Sequence, residues 1–334
     1  MSTQLSDLVV VPEVFSEGVI QQSLALDSMI ESGIAFVDPE IDAFLAGPIG
    51  GKTFSKRYLD ALDEDESNLS SDDSTEASSP ADLSGGAETL IRHSRNKSWS
   101  SMDLTAAMYG SDPLGSVQSQ IAKYWMTQRQ KILMKSLIGI IADNVANDSG
   151  DMIEDITGTG DGSFSGTGFI NAALTLGDRM GIISALGVHS MVMGTLLEND
   201  QIVYIPDSEG KNTIATYKGR RVIMDDGLPV DVTDPQNPVY TSVLFGNGAI
   251  AVGNGAPMNP ISVDRNEAAG NGGGQEMLYS RVEMACHPLG FAYLGSIGAS
   301  GKSPTWAQLS TATSWNRVYS DRKRIPLAFI KSLA

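Results

Sequence analysis

The chain has 334 residues, 41% of them hydrophobic and 7% aromatic, enough apolar material for a large core in two lobes and no bias toward fibrous or collagen-like classes. A net charge of −17 excludes a protein whose work is to grip DNA, since phosphate neutralisation needs clustered Lys and Arg. Its one cysteine, Cys286, excludes an intrachain disulfide and any multi-cysteine metal site, and the apolar run near Leu133 to Ala142 is too short to span a bilayer.

In chain order, the spacing of Phe15, Val19, Leu24 and Ile30 predicts a helix over 12–32, with Pro12 in its first turn and Gly33 as its stop. The following segment, IAFVDPEIDAFLAG, leads into AGPIGGKT, Ala46 to Thr53, which fits the loosest form of a phosphate-binding loop. Such a loop must follow a buried strand and open a helix, so that backbone N–H groups face the phosphates. EIDAFLA lacks the β-branched run of a buried strand, and Pro48 removes a donor where one is needed. VIMDD, Val222 to Asp226, imitates the companion Mg²⁺-binding strand, but GLP follows at once, as strand-then-turn punctuation. A nucleoside triphosphatase is therefore the weaker reading.

Between Arg57 and Arg92 there is no Lys or Arg, while Asp63, Glu64, Asp65, Glu66, Asp72 and Asp73 fall inside that interval among many serines. A tract so polar cannot bury itself, and a neighbouring subunit is its expected support. The charge then flips to Arg92, Arg95 and Lys97. Acids and cations together are candidate intersubunit contacts. Next comes DPLGSVQSQIAKYWMTQRQKILMKSLIGIIADNVAN, whose apolar spacing predicts a single helix of about nine turns over 113–147, with Asp112 as N-cap and Pro113 at the first helical position. Ile121, Trp125, Ile132, Leu137 and Ile140 are its expected core face.

The second half reads as mixed α/β. GFINAALTLGDRM and HSMVMGTLLEND look helical, whereas IISALGV, GRRVIMD, TSVLFG, AIAVG, RVEMACHP and RIPLAFI look like strands. GTGDGSFSGTG and GNGGGQ lack dinucleotide-fingerprint spacing and read as loops. Cys286 and His287 are adjacent, so in a strand they point to opposite faces and make no dyad. No catalytic, cofactor-binding or metal-binding constellation emerges, and no cofactor is implied.

The order of these elements resembles the major capsid protein of tailed double-stranded-DNA bacteriophages, the Hong Kong ninety-seven type fold. The resemblance is carried by IRHSRNKSWSSMDLTAAMYGSDPLGSVQSQIAKYW, IADNVANDSGD, YIPDSEGKNTIATYKGRRVIMDDGLPV, TSVLFGNGAI and HPLGFAYLG. It implies an α+β fold with an N-arm (1–48), an extended E-loop hairpin and its return strand (49–111), and a P-domain spine helix (112–150). An A-domain (151–255), P-domain strands (256–300) and a C-terminal A-domain segment (301–334) would follow. GPIGGKT then becomes the root of the hairpin. The implied function is self-assembly, through hexamers and pentamers, into an icosahedral virion shell that encloses DNA without gripping it. The alternative within the fold is a nanocompartment shell. The N-arm begins close to Met1, so any scaffold is expected to be a separate protein or else dispensable, with a portal and decoration proteins as further partners and no membrane. Relatives cross-link a hairpin lysine to a neighbour; Lys52 and Lys56 occupy the region, but no motif fixes the asparagine partner.

Overall fold

The computed structural model describes residues 34–46, 51–60, 66–70, 72–73, 75, 77–78, 80, 82–103, 113–206, 213–297 and 303–334. The expected helix over 12–32, the N-cap Asp112, the loop residues 47–50 and the candidates Asp63, Glu64 and Asp65 lie outside them.

Two sheets share one long helix. A short parallel strand β1 (Ala35–Val37) leads into helix α1 (Pro39–Ala46), then into the hairpin strands β2 (Thr53–Leu59) and β3 (Gly85–Ile91), then into β4 (His93–Met102). Helix α2 (Pro113–Asn147) follows with the bounds that its periodicity predicts. The second half contributes β5 (Ile153–Asp155), α3 (Gly166–Leu174), β6 (Ile183–Val188), α4 (Ser190–Glu198), β7 (Val203–Pro206), β8 (Thr213–Tyr217), β9 (Arg220–Met224), β10 (Val230–Asp231) and β11 (Val239–Gly246). The chain closes with β12 (Ile250–Gly255), β13 (Ile261–Asn266), β14 (Gln275–Pro288), β15 (Phe291–Tyr293), β16 (Trp315–Arg317) and β17 (Leu327–Ser332). Among the described residues no helix is long and apolar enough to cross a membrane.

The larger sheet runs β5-β17-β11-β6-β9-β8-β7, with β10 added beside β11. Its central strands are buried on both faces, which is why TSVLFG and LAFI read as continuous apolar runs rather than alternating ones. Alternation reappears in what each side chain meets. Val243, Phe245, Leu327 and Phe329 pack into the cluster built around α2. Leu244, Ala328 and Ile330, one residue out of phase, pack with Phe169 of α3 and with Val192 and Leu196 of α4.

The smaller sheet centres on the 14-residue strand β14, which pairs with β12 and β13 on one side and with β4 on the other. Helix α2 crosses this sheet, and the Trp125 indole N–H donates to Ser280 Oγ of β14 at 2.9 Å. Ile121, Trp125, Ile132, Leu137 and Ile140 are all buried, at 0, 6, 1, 0 and 0% exposure. Over 132–140 the buried face of α2 widens, because the short helix Trp306–Leu309 and strand β16 close over it. Gly139 marks the closest approach, where a β-carbon would lie 2.2 Å from the Leu309 carbonyl oxygen and 2.5 Å from the Trp315 ring. On the far side, α1 lies on β12, where Ile41 and Leu45 bury against Ala251 and Ala285, and at Gly253 a β-carbon would meet Ile41 at 2.4 Å.

Sheet membership draws its divisions elsewhere than the expected segment bounds at three places. The switch between lobes falls at 247–249 rather than at 255, because Ile250 already pairs with Pro288 in the smaller sheet. Residues 35–46, counted with the N-arm, are part of the body through the parallel pairing of β1 with β12. The return strand β4, counted with the E-loop, is a full member of the β14 sheet, so β2 and β3 alone form the separate two-stranded hairpin.

Burial also fixes the histidines of this sheet. His93 and His287 are 0% and 1% exposed on β4 and β14. Burial, followed by the charges of Arg95 and His287, depresses the His93 pKa to about 3. Burial depresses His287 to about 4, opposed by the bond between its Nε2 and the Phe291 carbonyl at 2.8 Å. Both rings are neutral when folded and take up protons on unfolding below pH ~6.5, the ordinary histidine value. Their stabilisation is complete above that pH and is lost as the pH falls toward 4 and then 3. Each should add a slope of about 1.4 kcal/mol per pH unit in that window. Urea titrations between pH 7 and pH 5 check this. His287→Gln should flatten the dependence, and an unchanged slope would contradict it.

Candidate functional site

The phosphate-loop resemblance dissolves on inspection of its flanks. A helix, α1, precedes AGPIGGKT and a strand, β2, follows it, the reverse of the order that such a loop requires. The Lys52 carbonyl is the acceptor for the Arg92 backbone N–H at 3.0 Å, which ties the motif into the base of the hairpin. Asp225 of the companion motif accepts from Gly227 N–H at 2.8 Å and from Gln130 Nε2 at 2.5 Å, as the residue closing a turn. Among the described residues no three His, Cys, Asp or Glu side chains gather as a metal site would need. Lys52→Ala should leave the protein without measurable ATP affinity, as the unmodified chain is. Micromolar ATP binding by calorimetry, lost in the variant, would overturn that.

The constructed feature is the root of the hairpin. In TFSKRYLD alternate residues point one way, and along β2 each inward side chain finds a partner in the body. Phe54 stacks on Phe44 of α1 with centroids 5.1 Å apart. Lys56 pairs with Asp38 at 2.6 Å and with Glu40 at 3.5 Å. The Tyr58 ring meets Tyr319 edge-on at 4.8 Å, and its hydroxyl donates to the Val318 carbonyl at 3.2 Å. Asp60, just past β2, pairs with Arg324 at 3.2 Å, and that guanidinium lies 4.7 Å above the Tyr319 ring. From β3, Glu88 is 3% exposed and accepts the Gly290 N–H at 3.2 Å. Burial raises the Glu88 carboxyl pKa against the opposing bond from Tyr319, while burial and Glu88 together push the Tyr319 phenol well above its usual range. An apolar stack, an ion pair, an aromatic pair and a second ion pair thus hold the hairpin at a fixed angle to the body.

The charge flip resolves unevenly. Arg92 pairs with Glu283 of β14, donates to the Leu45 carbonyl at 3.1 Å and lies 5.7 Å from the Phe44 ring centroid. Arg95 donates from Nη2 to the Pro304 carbonyl, and burial lowers its pKa. Both guanidiniums are therefore committed inside their own chain, which the sequence could not reveal. Lys97 is exposed, as are Glu66, Asp72 and Asp73 in the loop between β2 and β3. Asp73 accepts from the Thr75 N–H at 2.9 Å and hydroxyl at 2.7 Å, a local turn bond that holds its pKa below the usual carboxylate value.

Sequence reasoning missed Tyr319, Arg324, Glu88 and Asp38 at the root. The period-2 pattern of β2 was a usable signal for the hairpin side, but Tyr58 and Tyr319 stand 261 positions apart (319 − 58) and nothing local links them.

Comparison with known proteins gives a consistent answer. Residues 114–326 match the Gp13-like family, described as major capsid protein 13-like. Over 321 residues the chain is 35% identical to the major capsid protein of Bacillus phage SPP1, covering 96% of this chain and 95% of that protein. Its fold is similar to the capsid of Ralstonia phage GP4, with a TM-score of 0.57 at 10% identity over 92% of this chain and 88% of that one. It is also similar to the head structure of Helicobacter pylori bacteriophage KHP40, with a TM-score of 0.50 at 10% identity over 90% and 86%. These two show the fold, and it is the expected Hong Kong ninety-seven type.

Proposed function

Because the chain belongs to the Gp13-like family of major capsid proteins, and is the major capsid protein of a tailed phage, we propose that it closes an icosahedral shell of hexamers and pentamers around double-stranded DNA. Like other capsid proteins it self-associates, and its place is the virion. The 35% identity spread over nearly the whole chain carries this reading, because it covers both sheets, the hairpin and the spine helix together.

The mechanism is association. Each subunit makes modest contacts with several neighbours, and closed symmetry multiplies them into a stable container. In this reading α2 and the β14 sheet are the P-domain, the larger sheet with α3 and α4 is the A-domain around the capsomer axis, and the β2–β3 hairpin is the E-loop that reaches a neighbour. The −17 charge suits a wall along which packaged DNA slides. A separate scaffolding protein, a portal and decoration proteins are its further partners, and assembly takes place in the host cytoplasm. Negative-stain microscopy of the expressed protein, alone and with a scaffold encoded beside it, tests the reading. Closed shells or capsomers are expected; a monomer under both conditions would refute it.

A further inference from the structure

The N-terminus of α3 gathers donors and positive charge for which the described residues supply no acceptor. The first N–H groups of a helix have no partner within it. Here the N-cap Ser165 hydroxyl accepts from the Gly168 N–H at 3.2 Å, which leaves those of Gly166 and Thr167 at the open end. Against this end stands the turn between β8 and β9. Tyr217 and Arg220 pair directly across it, so Lys218 and Gly219 alone form the loop, with φ of 47° and 77°. Such a turn takes Asn, Asp or Gly at its first position, and a lysine there is strained. The strained lysine brings its ammonium to the first turn of α3, where a β-carbon on Gly166 would lie 2.7 Å from Lys218 Nζ.

Three features of this end point to an anion. Tyr217 is 1% exposed, with its ring edge-on to Phe164 and Phe169 at centroid distances of 5.7 and 5.4 Å. Its hydroxyl points out of that packing, 3.5 Å from the same β-carbon position on Gly166, and makes no hydrogen bond among the described residues. Burial raises the pKa of this phenol, which keeps it a donor. Next, a cation at the positive end of a helix is repelled by it, and no ion pair among the described residues relieves Lys218 or Arg220. Arg220, directly opposite Tyr217, projects from the same face of the hairpin. Finally, the acid of the preceding loop, Asp161, is turned to the Ser163 N–H at 3.1 Å. We propose that the N-terminus of α3 binds a phosphate group, held by the Gly166 and Thr167 N–H groups, the Tyr217 hydroxyl and the charges of Lys218 and Arg220. A carboxylate, with two oxygens and one charge, leaves part of this set unused, whereas a tetrahedral phosphate presents an oxygen to each side of it. The source is either inorganic phosphate or a phosphodiester of the packaged genome, and one weak site per subunit is compatible with a wall that does not grip DNA. The site lies within one subunit and does not depend on assembly.

Calorimetric titration of the purified full chain with inorganic phosphate, at constant ionic strength, tests it. Saturable binding at one site per chain is expected. Lys218→Asn suits the turn and Tyr217→Phe keeps the packed ring, so both variants should fold, and each should weaken phosphate binding about tenfold. Melting temperatures give a second readout that a merely structural role would not move. Without phosphate, Lys218→Asn should melt above the unmodified chain, because strain and repulsion are relieved; in saturating phosphate the order should reverse, and in chloride of equal ionic strength it should not. A duplex oligonucleotide distinguishes the sources: displacement of bound phosphate assigns the site to the genome backbone, and no displacement assigns it to the free ion. Absence of saturable binding, or equal affinity in the unmodified chain and both variants, overturns the proposal.

Discussion

Leu137→Asp should yield protein that does not fold. Leu137 is 0% exposed in the part of α2 closed over by the short helix Trp306–Leu309 and strand β16. Its cluster joins α2 to both sheets through residues such as Phe245, Phe329 and Cys286. The substitution removes a full leucine side chain and leaves a carboxylate without a partner, each costing a few kcal/mol. Their sum is comparable with the whole stability of a typical domain, about 5–15 kcal/mol. Ile132→Asp, 1% exposed on the same face, should behave alike. Val145→Asp is the control, since that residue is 55% exposed on the same helix. The check is soluble yield with circular dichroism. Folded Leu137→Asp protein would mean that the buried face of α2 is misplaced.

Arg92→Glu should cost less than that but still several kcal/mol, and the loss should appear in the subunit before any effect on assembly. Arg92 and Glu283 have side chains only 16% and 13% exposed, and the substitution faces one carboxylate with another. It also strips the Leu45 carbonyl of its guanidinium donor. Removing one partner of a buried pair costs about 3–5 kcal/mol, and the residual exposure places this pair at the lower end of that range. Urea denaturation of the purified subunit measures it. Combining Arg92→Glu with Glu283→Arg should recover part of the loss, as a double-mutant cycle would reveal. If Arg92→Glu is as stable as the unmodified chain, the pair is incidental and Arg92 is available to a neighbour after all.

The contrast between these two residues shows what the sequence makes legible. The 3.6-residue spacing of Ile121, Trp125, Ile132 and Leu137 is a local signal, and Pro113 marks the start of the helix without reference to the rest of the fold. The strands of the larger sheet are legible for the same reason: β-branched runs bounded by Gly, Pro and Asn. Arg92 shows only its charge. Its burial depends on β14, which arrives nearly two hundred residues later, and charge alone does not distinguish an arginine paired within its chain from one facing a neighbour. The hairpin root fails in the same way. Phe54, Lys56, Tyr58 and Asp60 announce a two-faced strand, but Tyr319 and Arg324 come from the far end of the chain. The switch between sheets at 247–249 is not legible in the sequence, because IAVG reads as a strand in either sheet and only its pairing with β14 decides. The phosphate-loop motif misleads in the opposite sense: its letters fit, and the order of helix and strand around it does not.

On the proposed function, the hairpin, fixed at its root by the stripe from Phe54 to Asp60, reaches out to a neighbour in a closed shell. A cryo-electron microscopy reconstruction of the assembled protein tests it most directly. The expected result is icosahedral shells in which the root contacts, Phe54 with Phe44 and Tyr58 with Tyr319, stay within one subunit while the acidic loop beyond Asp60 lies on the next. Shells in which that loop folds back on its own subunit, or a particle with no closed symmetry, would contradict it.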